Sequence, residues 1–165
     1  MYHVSKLFSI ASIVFLMILG ISGVASPHAD AKHGMMKAPD FHNVTASKYN
    51  FSDTVEMLKG SIEANNLMVI KEIDAQKMLR MVGVKSKGMK QLLFFHPRFM
   101  KSIMKINKNA TIEPPFKIVV MEKPDGKVMV KYIKPSYLLG RYKGLEKIGA
   151  ELDTLVSKIV QSIQK

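Results

Sequence analysis

The chain has 165 residues, with 25 Lys and Arg against 13 Asp and Glu, which gives a formal net charge of +12. Cysteine is absent, and this excludes disulfide scaffolds, thiolate metal sites, iron–sulfur clusters and cysteine nucleophiles. A chain of this length is expected to form one domain, large enough to bury a hydrophobic core without metals or disulfides.

The first 31 residues have the order of segments that is typical of a secretory signal peptide. A weakly basic start precedes an apolar run from Leu7 to Ile21, and the small-residue stretch after it ends in Ala29-Asp30-Ala31. We predict a signal peptide over residues 1–31, cleaved after Ala31 or, alternatively, after Ala25.

Export of a chain without cysteine predicts a secreted protein of the bacterial periplasm. The alternative is a membrane-tethered protein whose N-terminal segment stays uncleaved, because the 18 residues from Leu7 to Val24 are at the lower limit for crossing a bilayer. No later stretch is apolar enough to cross, so we expect no transmembrane helix in the mature chain. Neither G-x-G-x-x-G nor a P-loop occurs, and we expect no cofactor.

The mature chain is predicted to begin with a polar linker over residues 32–46, followed by a single domain over residues 47–165. In chain order, its first half is predicted to contain a short strand at Ser47–Phe51, a helix from Ser52 or Asp53 to Asn65 and a strand at Leu67–Ile73. A short helix is predicted after Asp74, with Gly83 at its end and with Met78, Leu79 and Val82 facing inward.

The second half is predicted to hold a central strand, a helix, a hairpin and a long terminal helix. The hairpin has the clearest signal, since Pro124-Asp125-Gly126 forms a turn between two apolar strands. The predicted elements are the strand Gln91–Phe95, a helix from Pro97 with Met100, Ile103 and Met104 inward, the strands Phe116–Glu122 and Lys127–Ile133, a helical turn at Pro135–Arg141 and an amphipathic helix at Leu145–Ile163. We therefore predict an α+β fold, a small mixed or antiparallel sheet with helices packed on one face.

The segment from Phe51 to Tyr142 resembles the family catalogued as domain of unknown function 302. The matching motifs are Thr54-Val55 through Leu58, Ile73-Asp74, Phe95-His96-Pro97, Pro115 followed by Lys117-Ile118-Val119-Val120, Asp125-Gly126-Lys127-Val128, and then Tyr132, Pro135, Tyr137-Leu138 and Arg141-Tyr142. The resemblance implies a compact α+β domain that forms a homodimer, and it implies no established activity. It also marks Pro115, Tyr137 and Arg141 as candidate ligand-binding residues.

Two polar residues follow predicted strands and are candidate catalytic groups. Asp74 and His96 each lie where a strand meets a helix, and a carboxylate paired with an imidazole could move a proton or orient a metal ligand. The alternative is that each only caps the helix that follows it. In the family pattern, His stands where this chain has Ala75, and Gly-Asn where it has Phe95-His96.

A second candidate, a metal site, lies in the predicted linker. His33, Met35, Met36 and His42 carry imidazole and thioether groups, which are copper ligands. Their spacing is irregular, and the alternative is an ordinary linker.

Charge is distributed unevenly along the chain. The segment from Ala75 to Ile112 contains nine basic residues and no acidic one. We predict a basic face that binds an anionic lipid, an anionic glycan or an acidic protein, or that only keeps the protein soluble. Nucleic acid is not expected, since the export signal argues against it and no aromatic residues are interleaved for stacking. The residues of this face are Lys77, Arg80, Arg98, Lys101, Lys105 and Lys108.

Composition and motifs together predict an exported binding or interaction module. The alternative is an enzyme or a metal-handling protein that uses a strand-end site around Asp74 and His96.

Overall fold

The structure is a computed structural model, and it describes residues 41–165. The predicted signal peptide, its cleavage sites, most of the predicted linker and the candidate ligands His33, Met35 and Met36 lie outside the described residues.

Within residues 41–165, five strands form one open antiparallel sheet in the order β1-β5-β4-β3-β2. The predicted hairpin is present, and Gly126 takes a φ of 81°, which glycine adopts without strain. The strands are β1 (His42–Ala46), β2 (Met68–Asp74), β3 (Met89–Phe95), β4 (Phe116–Glu122) and β5 (Val128–Ile133).

Five helices in the same part of the chain complete the α+β fold, and the predicted fold class is confirmed. They are α1 (Phe51–Ala64), α2 (Ala75–Met81), α3 (Pro97–Ile106), α4 (Pro135–Leu139) and α5 (Glu146–Gln161), and a 3-10 turn at Lys108–Ile112 follows α3. None of the helices in residues 41–165 has the length and apolar character needed to cross a membrane.

The hydrophobic core lies between one face of the sheet and helices α1 and α5. Alternation along β4 buries Ile118 and Val120, while Lys117 and Val119 point to the opposite, open face. The helices contribute apolar stripes with helical spacing, as predicted. Their buried residues include Val55, Leu58 and Ile62 of α1, and Leu152, Val156 and Ile159 of α5.

The first strand differs from its prediction. The strand expected at residues 47–51 lies instead at His42–Ala46, so the folded domain begins inside the segment predicted as linker. Ser47 and Asn50 form the turn between β1 and α1, because their short polar side chains bond to nearby groups. The Ser47 hydroxyl lies 2.7 Å from the Thr54 hydroxyl, and Asn50 Oδ1 accepts a hydrogen bond from the amide of Asp53 at 2.9 Å.

Two helices expose side chains that were predicted to face inward. On α2, Met78 is 59% exposed, and Val82 directly after the helix is 73% exposed. On α3, Met104 is 48% exposed, although Ile103 is buried. Spacing places residues on one face of a helix, but burial requires a second layer to cover that face, and α2 buries none of its residues.

Candidate functional site

The predicted Asp74–His96 pair does not form, and that prediction is wrong. Asp74 pairs with Lys90 at one end of the β2–β3 ladder, whereas His96 follows Phe95, which pairs with Met68 at the other end. Because the two strands are antiparallel, their carboxyl ends lie at opposite ends of the sheet. Six residues of strand separate the two positions, which corresponds to about 20 Å.

Each of these residues instead caps a helix. Asp74 Oδ1 accepts a hydrogen bond from the amide of Lys77 at 2.7 Å, and His96 Nδ1 accepts one from the amide of Arg98 at 3.1 Å. An accepting Nδ1 leaves the proton of a neutral imidazole on Nε2. The capping role that the sequence left open is therefore the one present.

The open face of the sheet carries a groove with a volume of about 480 Å³. Its floor is formed by Val119 and Met121 of β4 and Ile133 of β5, and Pro115 and Leu138 border it. Such side chains offer dispersion contacts to an apolar ligand.

Two lysines project from the same face into this groove. Lys131 pairs with Val119 across β4 and β5, and Lys117 lies two residues before Val119. The Cα atoms of such diagonal neighbours lie about 7–8 Å apart. Both side chains are exposed, and within residues 41–165 the salt bridges involve other cations. The groove thus presents two ammonium groups that no described carboxylate neutralises.

The carboxylate in the groove wall has its own partners. Glu113 Oε1 accepts a hydrogen bond from the Tyr142 hydroxyl at 2.6 Å and one from Arg141 Nη2 at 2.8 Å. The hydrogen bond to Glu113 raises the pKa of the Tyr142 hydroxyl, and lost solvation and the charge of Glu113 act in the same direction. Arg141 offsets the charge of Glu113, so the groove keeps its positive character.

The family-derived candidates gather around one end of this groove. Pro115 lines it, and Arg141 holds Glu113. Tyr137 stacks on Phe41 with ring centroids 4.2 Å apart, and Phe41 also packs edge-on against His42, which lines the groove. Their role in binding stays a prediction.

Lys117, Lys131, Val119 and Met121 were not predicted as site residues. The alternation of β4 carried a signal for them, since Lys117 and Val119 face away from Ile118 and Val120. The pattern could not show that no helix among residues 41–165 covers that face.

Of the four candidate metal ligands, only His42 is in the described part of the chain, on the exposed side of β1. Within residues 41–165, no group of three or more His, Asp or Glu side chains is placed to hold a metal ion.

The predicted basic face is divided into two clusters. Lys77 and Arg80 are on α2, which follows Asp74, whereas the other cluster begins after Phe95, at the opposite end of the β2–β3 ladder. Antiparallel pairing is again the cause, since it sends successive helices to opposite ends of the sheet. The second cluster consists of Arg98, Lys101 and Lys105 of α3 and Lys108 of the 3-10 turn, all exposed.

Comparison with known proteins places this geometry in a family. No curated protein matches the chain. A crystal structure of an uncharacterized conserved protein DUF302 from Bacillus stearothermophilus is similar, with 20% sequence identity and a TM-score of 0.70, over 76% of this chain and 99% of the other. At this identity the likeness shows the shared fold. The family model for the domain of unknown function DUF302 matches residues 42–163, beginning with the first residue of β1, and the chain therefore belongs to the DUF302 family.

Proposed function

We propose that this protein is an exported binding domain that holds an amphipathic organic anion, an apolar chain with a carboxylate head, in the groove on the open face of its sheet. The observation that carries the proposal is the combination of an apolar floor with Lys117 and Lys131, which have no carboxylate partner among the described residues.

The shape and lining of the groove favour a small ligand with an apolar part. Ligand pockets in proteins have volumes of roughly 300–1,000 Å³, and the groove lies within that range. Val119, Met121 and Ile133 are half-buried, so an alkyl chain along them would remove further apolar surface from water.

The two lysines favour a negative head group. Lys117 and Lys131 are diagonal neighbours on adjacent strands, so a carboxylate bound between their long, exposed side chains would interact with both ammonium groups. Glu113 does not cancel this attraction, because Arg141 already offsets its charge.

A second copy of the chain is the competing occupant of the open face. A two-fold interface there would bring Lys117 and Lys131 of both copies into one contact, and like charges opposite each other are destabilising. Charge therefore favours an anion over a homodimer at this surface.

The catalytic and metal-handling alternatives have less support. Asp74 and His96 are separated by the length of the β2–β3 ladder, so they offer no shared site for proton transfer. A metal site would retain only His42 among the described candidates.

Export is supported by the N-terminal sequence and is tested separately. Protein recovered from the periplasmic fraction should have an intact mass that begins at Lys32 or, less favoured, at Ser26. Recovery of a chain that still begins at Met1, in membranes resistant to salt and carbonate, would replace export by anchoring.

The binding proposal is tested by calorimetric titration with dodecanoate, below its micelle concentration, against dodecanol as the uncharged ligand of equal chain length. We expect dodecanoate to bind more tightly, and Lys117→Gln and Lys131→Gln each to weaken it about tenfold, which equals about 1.4 kcal/mol. Lys147→Gln, an exposed lysine on α5, is the matched control and should leave binding unchanged. Equal binding of dodecanoate and dodecanol would overturn the proposal. So would the absence of dodecanoate binding, if sedimentation analysis showed a dimer and Val119→Glu dissociated it.

A further inference from the structure

We infer that α2 and the loop after it form a second, separate binding surface, which docks on an anionic phospholipid bilayer. This surface, the α2 tip, comprises residues 75–88. None of residues 75–88 lines the groove, and the inference does not depend on the function proposed there.

The α2 tip exposes apolar side chains that the fold itself does not use. Met78 is 59% exposed, Met81 80%, Val82 73% and Val84 46%. Four large apolar side chains thus face solvent within seven successive residues, and α2 buries none of its own residues. An exposed apolar cluster of this kind marks an interaction surface.

A fixed turn holds these side chains together. Gly83 has a φ of 78°, and its amide donates to the carbonyl of Arg80 at 3.1 Å, while the amide of Val84 donates to the carbonyl of Leu79 at 3.0 Å. These two hydrogen bonds form a Schellman motif, which ends the helix and returns the chain beside its last turn. Val82 and Val84 are therefore held close to the end of α2.

The charge of the α2 tip is of one sign. Lys77, Arg80, Lys85 and Lys87 are all exposed, and residues 75–88 contain no acidic residue. Two carboxylates border this segment, Asp74 directly before it and Glu122 on the neighbouring strand β4, and each accepts a hydrogen bond from a backbone amide of the segment. Asp74 accepts from Lys77, and Glu122 accepts from Gly88 at 3.2 Å.

Apolar side chains with basic residues around them suit a bilayer whose surface is anionic. The apolar groups enter the boundary between head groups and acyl chains, while the long basic side chains reach the lipid phosphates. Unbranched methionine adapts to a fluid surface. A second copy is disfavoured by four like charges on each tip, and lysine is depleted in the cores of protein interfaces.

The α3 end of the molecule is the natural internal control. It carries a cluster of four basic residues, and Ile112 beside it is 80% exposed, the same fraction as Met81. A probe at each position therefore starts from equal exposure and reports which end meets the lipid.

The absence of cysteine allows a site-specific experiment on the protein as the cell processes it. Met81→Cys and Ile112→Cys are each labelled with an environment-sensitive fluorophore and mixed with vesicles of phosphatidylglycerol and phosphatidylcholine, or of phosphatidylcholine alone. We expect a blue shift only for the label at position 81, only with phosphatidylglycerol, and weaker at high salt. The absence of a shift at position 81 would overturn the inference, whether or not position 112 shifts. This holds even if an N-terminal anchor attaches the protein to the vesicles, because the label at position 81 reports contact of the α2 tip itself.

Charge and apolar variants complete the test. Lys77→Glu with Arg80→Glu should lower the response at position 81 to phosphatidylglycerol vesicles more than tenfold, whereas Lys101→Glu with Lys105→Glu should change it less than twofold. Val82→Ser should also lower it, and circular dichroism checks that each variant is folded. Equal effects of the two charge variants would contradict a surface confined to the α2 tip.

Dodecanoate binding in the groove should be the same in all these variants, so failure of either proposal is distinguishable from failure of the other.

Discussion

Asp153 of α5 accepts two hydrogen bonds from Ser136 at the start of α4, one from the backbone amide at 2.9 Å and one from the hydroxyl at 2.5 Å. Lys134, the residue that precedes α4, makes no capping hydrogen bond through its side chain, so Asp153 supplies that cap from another helix. Gly149 allows the close approach, since a Cβ there would lie 2.7 Å from the Cα of Ser136. Leu138 of the same α4 borders the groove, and this contact therefore positions part of its wall.

Asp153→Ala should destabilise the fold by about 1.5–3 kcal/mol, because it removes a charged acceptor and leaves the Ser136 donors without a protein partner. Urea unfolding measures the effect, and Ser157→Ala, an exposed serine on the same helix, is the control. Equal unfolding midpoints for the two variants would show that the contact contributes nothing to stability.

Leu152→Ala should cost about 2–5 kcal/mol, since Leu152 is fully buried where α5 packs on the core. Glu151→Ala at the neighbouring exposed position should change stability by less than about 0.5 kcal/mol. If Leu152→Ala fell within that smaller range, α5 would not be the packing element described.

Glu72 bridges Lys59 of α1 and Lys90 of β3, and the hydrogen bond from Lys90, with a second one from Lys59, lowers its pKa. A lowered pKa in the folded state means that the ionised pair stabilises the fold above about pH 4.5, the ordinary value, and that this contribution is lost as the pH falls further. Glu72→Gln should therefore reduce the loss of unfolding free energy between neutral pH and pH 3. The reduction should be about 1 kcal/mol or less, because all three side chains are partly exposed. The check is the unfolding free energy of both proteins between neutral pH and pH 3, and an unchanged acid slope would contradict it.

The sequence was most informative where structure is local. The turn at Pro124-Asp125-Gly126 and the stripes of α1 and α5 depend on residues close together in the chain, and the structure contains them. The edge strand β1 was not predicted because its partner among residues 41–165 is β5, far along the chain, and three of its five side chains are exposed.

The misassigned site has a different cause. Nothing in the pattern around Asp74 and His96 tells whether β2 and β3 run parallel or antiparallel, and that choice alone decides whether the two residues meet. The same choice separates α2 from α3 and divides the basic face. The open face of the sheet, with Lys117 and Lys131, depends on which surfaces the helices leave uncovered.

The most direct test of the anion site is a reversal of ligand preference. The unmodified protein should bind dodecanoate at least tenfold more tightly than dodecylammonium, which has the same chain length and the opposite charge, since Lys117 and Lys131 attract the carboxylate. The double variant Lys117→Glu with Lys131→Glu should prefer dodecylammonium, with the apolar floor of the groove unchanged. If the double variant kept the original preference, or if neither protein distinguished the two ligands, the groove would not be the binding site described.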